Sequence, residues 1–177
     1  MKSRRDLRLA IQPLDSSKHD RQAFACGVEA LDAYLKTQAT QDVSRGLSSV
    51  YVATPDSKTI AGYYSLSQYG IQCADLPENY ARKFPSKMKL PATLLGRLAT
   101  SINFRGQGGG EYLLIEAIAQ FCVIAEQIAS TMLVVDAKNE NATGFYARYG
   151  FVAITEPHSG RMFLPRKNAI KVVQAIS

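Results

Sequence analysis

The sequence predicts an α/β fold in a single domain over residues 1–177. Three observations point to it. Short β-rich runs alternate with stretches of helical periodicity. A glycine cluster joins one of those runs to a long amphipathic helix. A chain of 177 residues also suits one core, because domains usually hold roughly 100–200 residues. At this size folding buries on the order of 70% of the unfolded surface, so neither disulfide nor metal is needed to hold the fold.

In chain order, Leu7 to Leu14 reads as a first strand, and Glu29 to about Val43 as a helix with Leu31, Tyr34, Leu35 and Ala39 on one face. Ser49 to Thr54 and Thr59 to Ser67 form a hairpin around the turn-forming Pro55-Asp-Ser-Lys58. Between residues 75 and 91, Pro77, Pro85 and Pro91 limit structure to one short helix and an exposed connection. Ala92 to Ala99 is a central strand. After the glycines, Leu113, Leu114, Ala117, Ile118, Phe121, Cys122, Ala125 and Ile128 mark the apolar stripe of a long helix. Met132 to Asp136 is nearly continuous in apolar residues, as expected for a strand covered on both faces. Asn141 to Tyr149 is a brief helix stopped by Gly150. Phe151 to Ile154 and Arg161 to Leu164 complete a last strand pair.

Composition excludes several classes. With 46% apolar and 20% charged residues the chain is neither disordered nor fibrous. No apolar stretch approaches the ~20 residues that span a bilayer, and Met1-Lys-Ser-Arg-Arg-Asp opens no signal peptide, so no membrane association and a cytoplasmic location are expected. Cys26, Cys73 and Cys122 share no spacing pattern and read as reduced, buried thiols. His19 and His158 have no ligand neighbours at metal-binding spacing, so no metal is expected. The net charge of +6 favours an anionic partner. Lys2, Arg4, Arg5 and Arg8 crowd the start, and Arg82, Lys83, Lys87 and Lys89 form a second group without an acid between them.

The segment Leu95-Gly-Arg-Leu-Ala-Thr-Ser-Ile-Asn-Phe-Arg105-Gly-Gln-Gly-Gly-Gly110-Glu carries the chemistry. Glycines allow close backbone approach, and unpaired amides with the positive dipole end of a helix favour phosphate. A dinucleotide fingerprint fails because Glu111 stands where its third glycine belongs. A nucleoside-triphosphate loop fails because no lysine occurs between Phe104 and Gln120. A plain glycine turn without a ligand is the remaining dull alternative.

Arg105-Gly106-Gln107-Gly108-Gly109-Gly110 fits Arg/Gln-x-x-Gly-x-Gly/Ala and resembles the acetyl-CoA pyrophosphate loop of the GNAT acetyltransferases. Asn141-Ala-Thr-Gly-Phe-Tyr-Ala-Arg-Tyr-Gly-Phe151 is similar to that superfamily's ending, a helix bearing a tyrosine before Gly-Phe and a strand. His19 to Gly27, Leu31 to Leu35, Gln41-Asp42, Gly62 to Ser67 and Leu94 to Ala99 resemble, over nearly the whole chain, the GNAT toxins of bacterial toxin–antitoxin pairs. Two departures stand out. Gly109 replaces a larger apolar residue common in the family, and Thr100-Ser101 replaces a common Val-Asp.

The resemblance implies a mixed, mostly antiparallel twisted sheet flanked by helices, with acetyl-CoA held where two central strands splay. It implies acetyl transfer to the α-amino group of an aminoacyl-tRNA, neutralisation by a ribbon-helix-helix antitoxin, operator DNA met only through that antitoxin, and a homodimer. The main chain of Leu98, Ala99 and Thr100 would hold the pantetheine arm, and residues 105–110 the diphosphate. Tyr146 would protonate the departing sulfur, with a packed aromatic as its rival reading; Asn141 would touch the cofactor, with a helix cap as its rival. If tRNA is the substrate, Arg82, Lys83, Lys87, Lys89 and Arg97 are the phosphate contacts, with Lys36 and Arg45 behind them. An α-amino group titrates near ~7.7–8.0 and needs no dedicated carboxylate base. Two alternatives stay open: a GNAT enzyme for protein or small-molecule amines, and a catalytically silent module of a DNA-bound repressor complex.

Overall fold

Strand-forming runs rich in Val, Ile, Leu and Tyr assemble into seven strands among the described residues. They are β1 (Ala10–Pro13), β2 (Ser49–Thr54), β3 (Gly62–Gln72), β4 (Lys89–Thr100), β5 (Met132–Asp136), β6 (Val152–Ala153) and β7 (Arg161–Pro165). The helices are α1 (Glu29–Thr37), α2 (Ala39–Ser44), α3 (Glu78–Ala81), α4 (Gly109–Gln127), α5 (Glu140–Ala147) and α6 (Arg166–Ile176). The structure, a computed structural model, describes residues 8–154 and 159–177. Lys2, Arg4, Arg5, Leu7 and His158 lie outside the described residues.

Strand order is β1-β2-β3-β4-β5-β7-β6. The β1–β2, β2–β3, β5–β7 and β6–β7 pairs are antiparallel and β4–β5 is parallel, so the sheet is mixed and mostly antiparallel, as expected. The β4–β5 ladder covers only Thr93↔Leu133, Leu94↔Val134 and Leu95↔Val135, and β4 continues to Thr100 beyond it.

The chain divides into two compact units, and β3, β4 and α4 each contribute to both. One runs up to Ser67 and takes in Arg97–Glu116. Its core gathers Phe24, Tyr34, Leu35, Val50, Val52, Tyr63 and Ala99, all buried. Phe24 meets the Tyr63 ring edge-on at 5.5 Å, and the Tyr63 hydroxyl donates to the Leu31 carbonyl at 2.8 Å, so this buried phenol is satisfied. The other unit comprises Gln68–Gly96 and Ala117–Ser177. Leu90, Ala92, Met132, Val134, Ile154 and Phe163 form its core, with Tyr80 edge-on to Phe163 at 5.1 Å.

Several element boundaries depart from expectation for local reasons. The helix expected over 29–43 breaks at Gln38 (φ −116, ψ −34) into α1 and α2. The Thr37 hydroxyl bonds back to the Ala33 carbonyl at 2.7 Å, a bond that competes with the helical ladder just before the break. Thr59 to Ala61 belong to the turn, because the Asp56 carboxylate accepts from the amides of Lys58 and Thr59 at 2.9 and 2.6 Å. The central strand starts at Lys89, with Pro91 exposed on it. Ile128 lies past the end of α4 and is 59% exposed, and Cys122 is half-buried. Helix α6 adds an element beyond the last expected strand pair.

Candidate active site

Beyond β4 the backbone is fixed by long-range hydrogen bonds before it reaches the glycines. The Ser101 amide donates to the Ala61 carbonyl at 2.8 Å and the Ile102 amide to the Ala25 carbonyl at 2.9 Å. Ile102–Phe104 makes a tight turn, and the Arg105 amide closes it on the Ile102 carbonyl at 3.4 Å. Gly106 and Gly108 then adopt φ of +74° and +77°, a left-handed conformation that a side chain disfavours. Tyr112 makes its amide bond to the Gly108 carbonyl at 3.0 Å, so the amides of Gly106 to Glu111 precede the first closed turn of the 19-residue α4. Such amides and the helix dipole together suit a phosphate group. The Gln107 side chain reaches back to the Asn103 carbonyl at 3.4 Å.

The two departures in this segment are neighbours. A Cβ at Gly109 would stand 2.7 Å from the Thr100 methyl, so the small residue at 109 leaves room for the branched one at 100. The Arg105 guanidinium donates to the Cys26 carbonyl. Leu98 and Thr100 are half-buried and Ala99 buried at the end of β4.

In the second unit, α5 carries Tyr146. Asn139, not Asn141, caps this helix, its side-chain oxygen accepting from the Ala142 amide at 2.8 Å. Asn141 therefore sits exposed in the first turn, and its rival reading as the cap is corrected. Gly150, at φ +91°, follows the helix as expected. The Tyr146 ring packs against Phe145 at 5.3 Å and Phe151 at 5.4 Å. Burial pushes its pKa above the ordinary phenol value, and the Asp136 carboxylate adds to the rise. A proton is thus kept on Tyr146 at neutral pH.

Asp136 is a charged neighbour of Tyr146 that no sequence motif marks. It ends β5 in register with Arg161, whose Nε and Nη2 donate to its two carboxylate oxygens at 2.8 and 3.2 Å. The same guanidinium donates to the Tyr69 hydroxyl and lies 5.0 Å from the Tyr69 ring centroid. The pairing depends on strand register across 25 residues, which no local pattern announces.

Arg82, Lys83, Lys87 and Lys89 are all exposed within the second unit. Lys83 stands 5.3 Å from the Tyr80 ring centroid. Arg97 belongs to the first unit and differs from them. It is half-buried, with its guanidinium carbon 3.5 Å from the centroid of the Tyr34 ring, whose hydroxyl bonds Asp42 at 3.0 Å. Lys36 is half-buried and Arg45 exposed.

Burial raises the thiol pKa of Cys26 and of Cys122, which disfavours the nucleophilic thiolate. Among the described residues no group of His, Cys, Asp and Glu is placed to hold a metal ion, and no helix is long and apolar enough to cross a membrane.

Comparison with known proteins assigns the family. The Acetyltransferase (GNAT) domain matches residues 46–153. A protein of Sinorhizobium fredii (strain NBRC 101917 / NGR234) named "Probable toxin TacT" is 32% identical over 163 residues, covering 88% of this chain and 90% of that one. The tRNA-acetylating toxin of Mycobacterium tuberculosis (strain ATCC 25618 / H37Rv) is 31% identical over 143 residues, 80% of this chain and 84% of its own. This chain belongs to the GNAT acetyltransferase family.

Among solved structures, a tyrosine-to-phenylalanine mutant of KacT superimposes with a TM-score of 0.85 at 28% identity, covering 93% of this chain and 98% of that one. AtaT complexed with acetyl-methionyl-tRNAfMet gives 0.83 at 30% identity, with coverages of 94% and 99%. An AtaT mutant toxin bound to acetyl-CoA and the C-terminus of its antitoxin AtaR gives 0.78 at 25% identity, with coverages of 94% and 98%.

Proposed function

We propose that this chain is a toxin that transfers acetyl from acetyl-CoA to the α-amino group of an aminoacyl-tRNA, blocks translation, and is neutralised by a cognate antitoxin. The likeness to AtaT with its acetylated tRNA, over 94% of this chain, is the observation that carries the reading. The relatives' names and the antitoxin-bound AtaT structure support the same activity and partner.

In this reading the amides from Gly106 to Gly110 receive the diphosphate of acetyl-CoA, and the main chain of Leu98, Ala99 and Thr100 receives its pantetheine arm. The Arg105 amide is spent on the Ile102 carbonyl, so that residue contributes through its place in the loop. The neutral α-amine attacks the thioester carbonyl and forms the C–N bond. The tetrahedral intermediate expels the sulfur, which takes the Tyr146 proton as the C–S bond breaks. The amine's surplus proton leaves to water and Tyr146 is reprotonated from solvent. Its raised pKa supports the role of acid, and no carboxylate base is required because much of the α-amine is already neutral near pH 7.5.

Arg82, Lys83, Lys87 and Lys89 are proposed as phosphate contacts for the tRNA; their exposure supports it. Arg97 is proposed as a contact only through whatever part of its guanidinium the Tyr34 ring leaves open. Asn141, exposed beside the N-terminus of α5, is proposed to touch the cofactor. A ribbon-helix-helix antitoxin, a homodimer and a cytoplasmic location complete the proposal.

Mass spectrometry of total aminoacyl-tRNA after incubation with the protein and acetyl-CoA tests the reaction. N-acetylated aminoacyl-adenosine on released 3′ ends is the expected product, and its absence at high protein concentration overturns the proposal.

A further inference from the structure

The Arg105 side chain, the first of the glycine loop, is engaged with a turn 79 residues earlier in the chain. Its guanidinium donates to the Cys26 carbonyl, a charge-assisted bond stronger than one between neutral groups. Gly27, next in sequence, holds φ at +86°, and a Cβ there would stand 3.0 Å from Arg105 Nη2 and 3.9 Å from Cζ and Nη1. A side chain at 27 would meet both an unfavourable backbone conformation and the guanidinium. The Ile102 amide bonds the Ala25 carbonyl at 2.9 Å, a second link between the same two segments. The turn is itself anchored, because the Cys26 amide donates to the Asp32 carboxylate of α1 at 2.8 Å.

We propose that Gly27 and Arg105 form a latch that holds the glycine loop in its anion-receiving conformation, with Arg105 acting on the diphosphate through Cys26 and not by touching it. This rests on the reading of residues 106–110 as the diphosphate cradle. The physical reason is preorganisation. A loop with left-handed glycines at 106 and 108 loses much conformational entropy when it is ordered, and a tether that orders it before binding removes that cost from the affinity. Glycine at 27 admits the guanidinium, and the guanidinium fixes the start of the loop. Both are positioning residues.

Calorimetric titration of CoA into the full chain, into Gly27→Ala, into Arg105→Met and into the double variant tests the latch, with hydrogen exchange of residues 101–110 followed in each ligand-free protein. Each single variant should weaken CoA by roughly five- to tenfold, the scale of one missing hydrogen bond. The double variant should be little worse than the weaker single, because both remove one device. Exchange in the loop should quicken, and the KM for acetyl-CoA should rise before kcat falls. Arg105→Lys keeps the charge. Recovery of both wild-type affinity and slow loop exchange would mean that lysine remakes the bond to Cys26 and would sustain the latch; recovery of affinity while loop exchange stays fast would mean direct attraction to phosphate and would overturn it. So would additive losses, or single variants that bind CoA as tightly as the parent with unchanged exchange. If the parent takes up no CoA, the diphosphate reading fails by itself. The latch is then judged on exchange: faster loop exchange in both variants sustains it, and unchanged exchange overturns it.

Discussion

Asp136 and Arg161 face one another across the β5–β7 ladder, and the guanidinium forks both oxygens of the carboxylate. An Arg–carboxylate pair held this way is fixed in orientation as well as in charge. The anion it fixes is the one that, after burial, raises the pKa of Tyr146. A general acid must enter the reaction protonated, so activity falls as pH climbs past its pKa. Asp136→Asn removes an anion that opposes ionisation of the phenol, so the alkaline limb of the kcat profile should move to lower pH. A limb that stays in place, with CoA binding intact, would disconnect Asp136 from the tyrosine.

Tyr146→Phe keeps the ring that packs on Phe145 and Phe151 and removes the transferable proton. Acetylation of aminoacyl-tRNA should slow by about 10²–10⁴-fold, the usual contribution of a positioned acid, while CoA affinity holds. Single-turnover rates with purified charged tRNA check this. Unchanged rates would return Tyr146 to a packing role.

At Gly106 a Cβ would meet nothing within 4 Å, so Gly106→Ala introduces left-handed backbone strain without a clash. That strain is about 1 kcal/mol, and it weakens CoA by up to roughly fivefold to the extent that the free loop of the variant relaxes out of the left-handed turn and binding must restore it. Calorimetry reads the change directly. An alanine variant that binds as the parent does would show that the left-handed turn is dispensable.

Neutralising Arg82, Lys83 and Lys87 together with glutamine should weaken aminoacyl-tRNA binding and flatten its salt dependence. Every phosphate that no longer meets a cation lowers the slope of log affinity against log salt by about 0.7–0.9. Filter binding at several ionic strengths measures both effects. A weaker but equally steep curve would place the tRNA backbone elsewhere.

His19 supplies a pH dependence of stability. Its buried ring accepts the Asp15 amide on Nδ1 at 3.0 Å and meets Gln12 Oε1 through Nε2 at 3.0 Å, an arrangement that needs the neutral tautomer. Burial lowers its pKa below the ordinary 6.5. The unfolded chain therefore takes up the proton first, so this contribution is complete above about pH 6.5 and is lost as pH falls towards the folded-state pKa. Protonation breaks the Asp15 bond, worth roughly 1 kcal/mol. Urea melts between pH 7.5 and 5 should show the decline, and His19→Gln should remove its steepest part.

What can be read from the sequence is local. Met132–Asp136 declares a strand because four adjacent apolar residues, Met132 to Val135, carry the signal, and Leu113 to Ala125 declare a helix face in the same way. The glycine loop and Tyr146 are legible because their motifs are contiguous. Helix α6 escapes although Ala169, Ile170, Val173 and Ile176 stand at helical spacing, because Pro165 offers no side-chain cap and the helix follows β7 with no turn residues between them. The bonds from Arg105 to Cys26 and from Arg161 to Asp136 arise from tertiary approach and strand register. Arg97 shows the opposite limit: a cation read as a surface contact lies against a buried tyrosine, and sequence cannot say which cations find such a seat.

The three-pair ladder between β4 and β5 has a thermal corollary. Past Leu95 the last residues of β4 form no ladder with β5, so their main chain keeps on that side the pairing capacity that sheets normally confine to their margins. In the proposed function, the amides of the pantetheine arm pair with the main chain of Leu98 to Thr100. Occupancy should then be felt as melting resistance, through main-chain pairing that no side-chain substitution can copy.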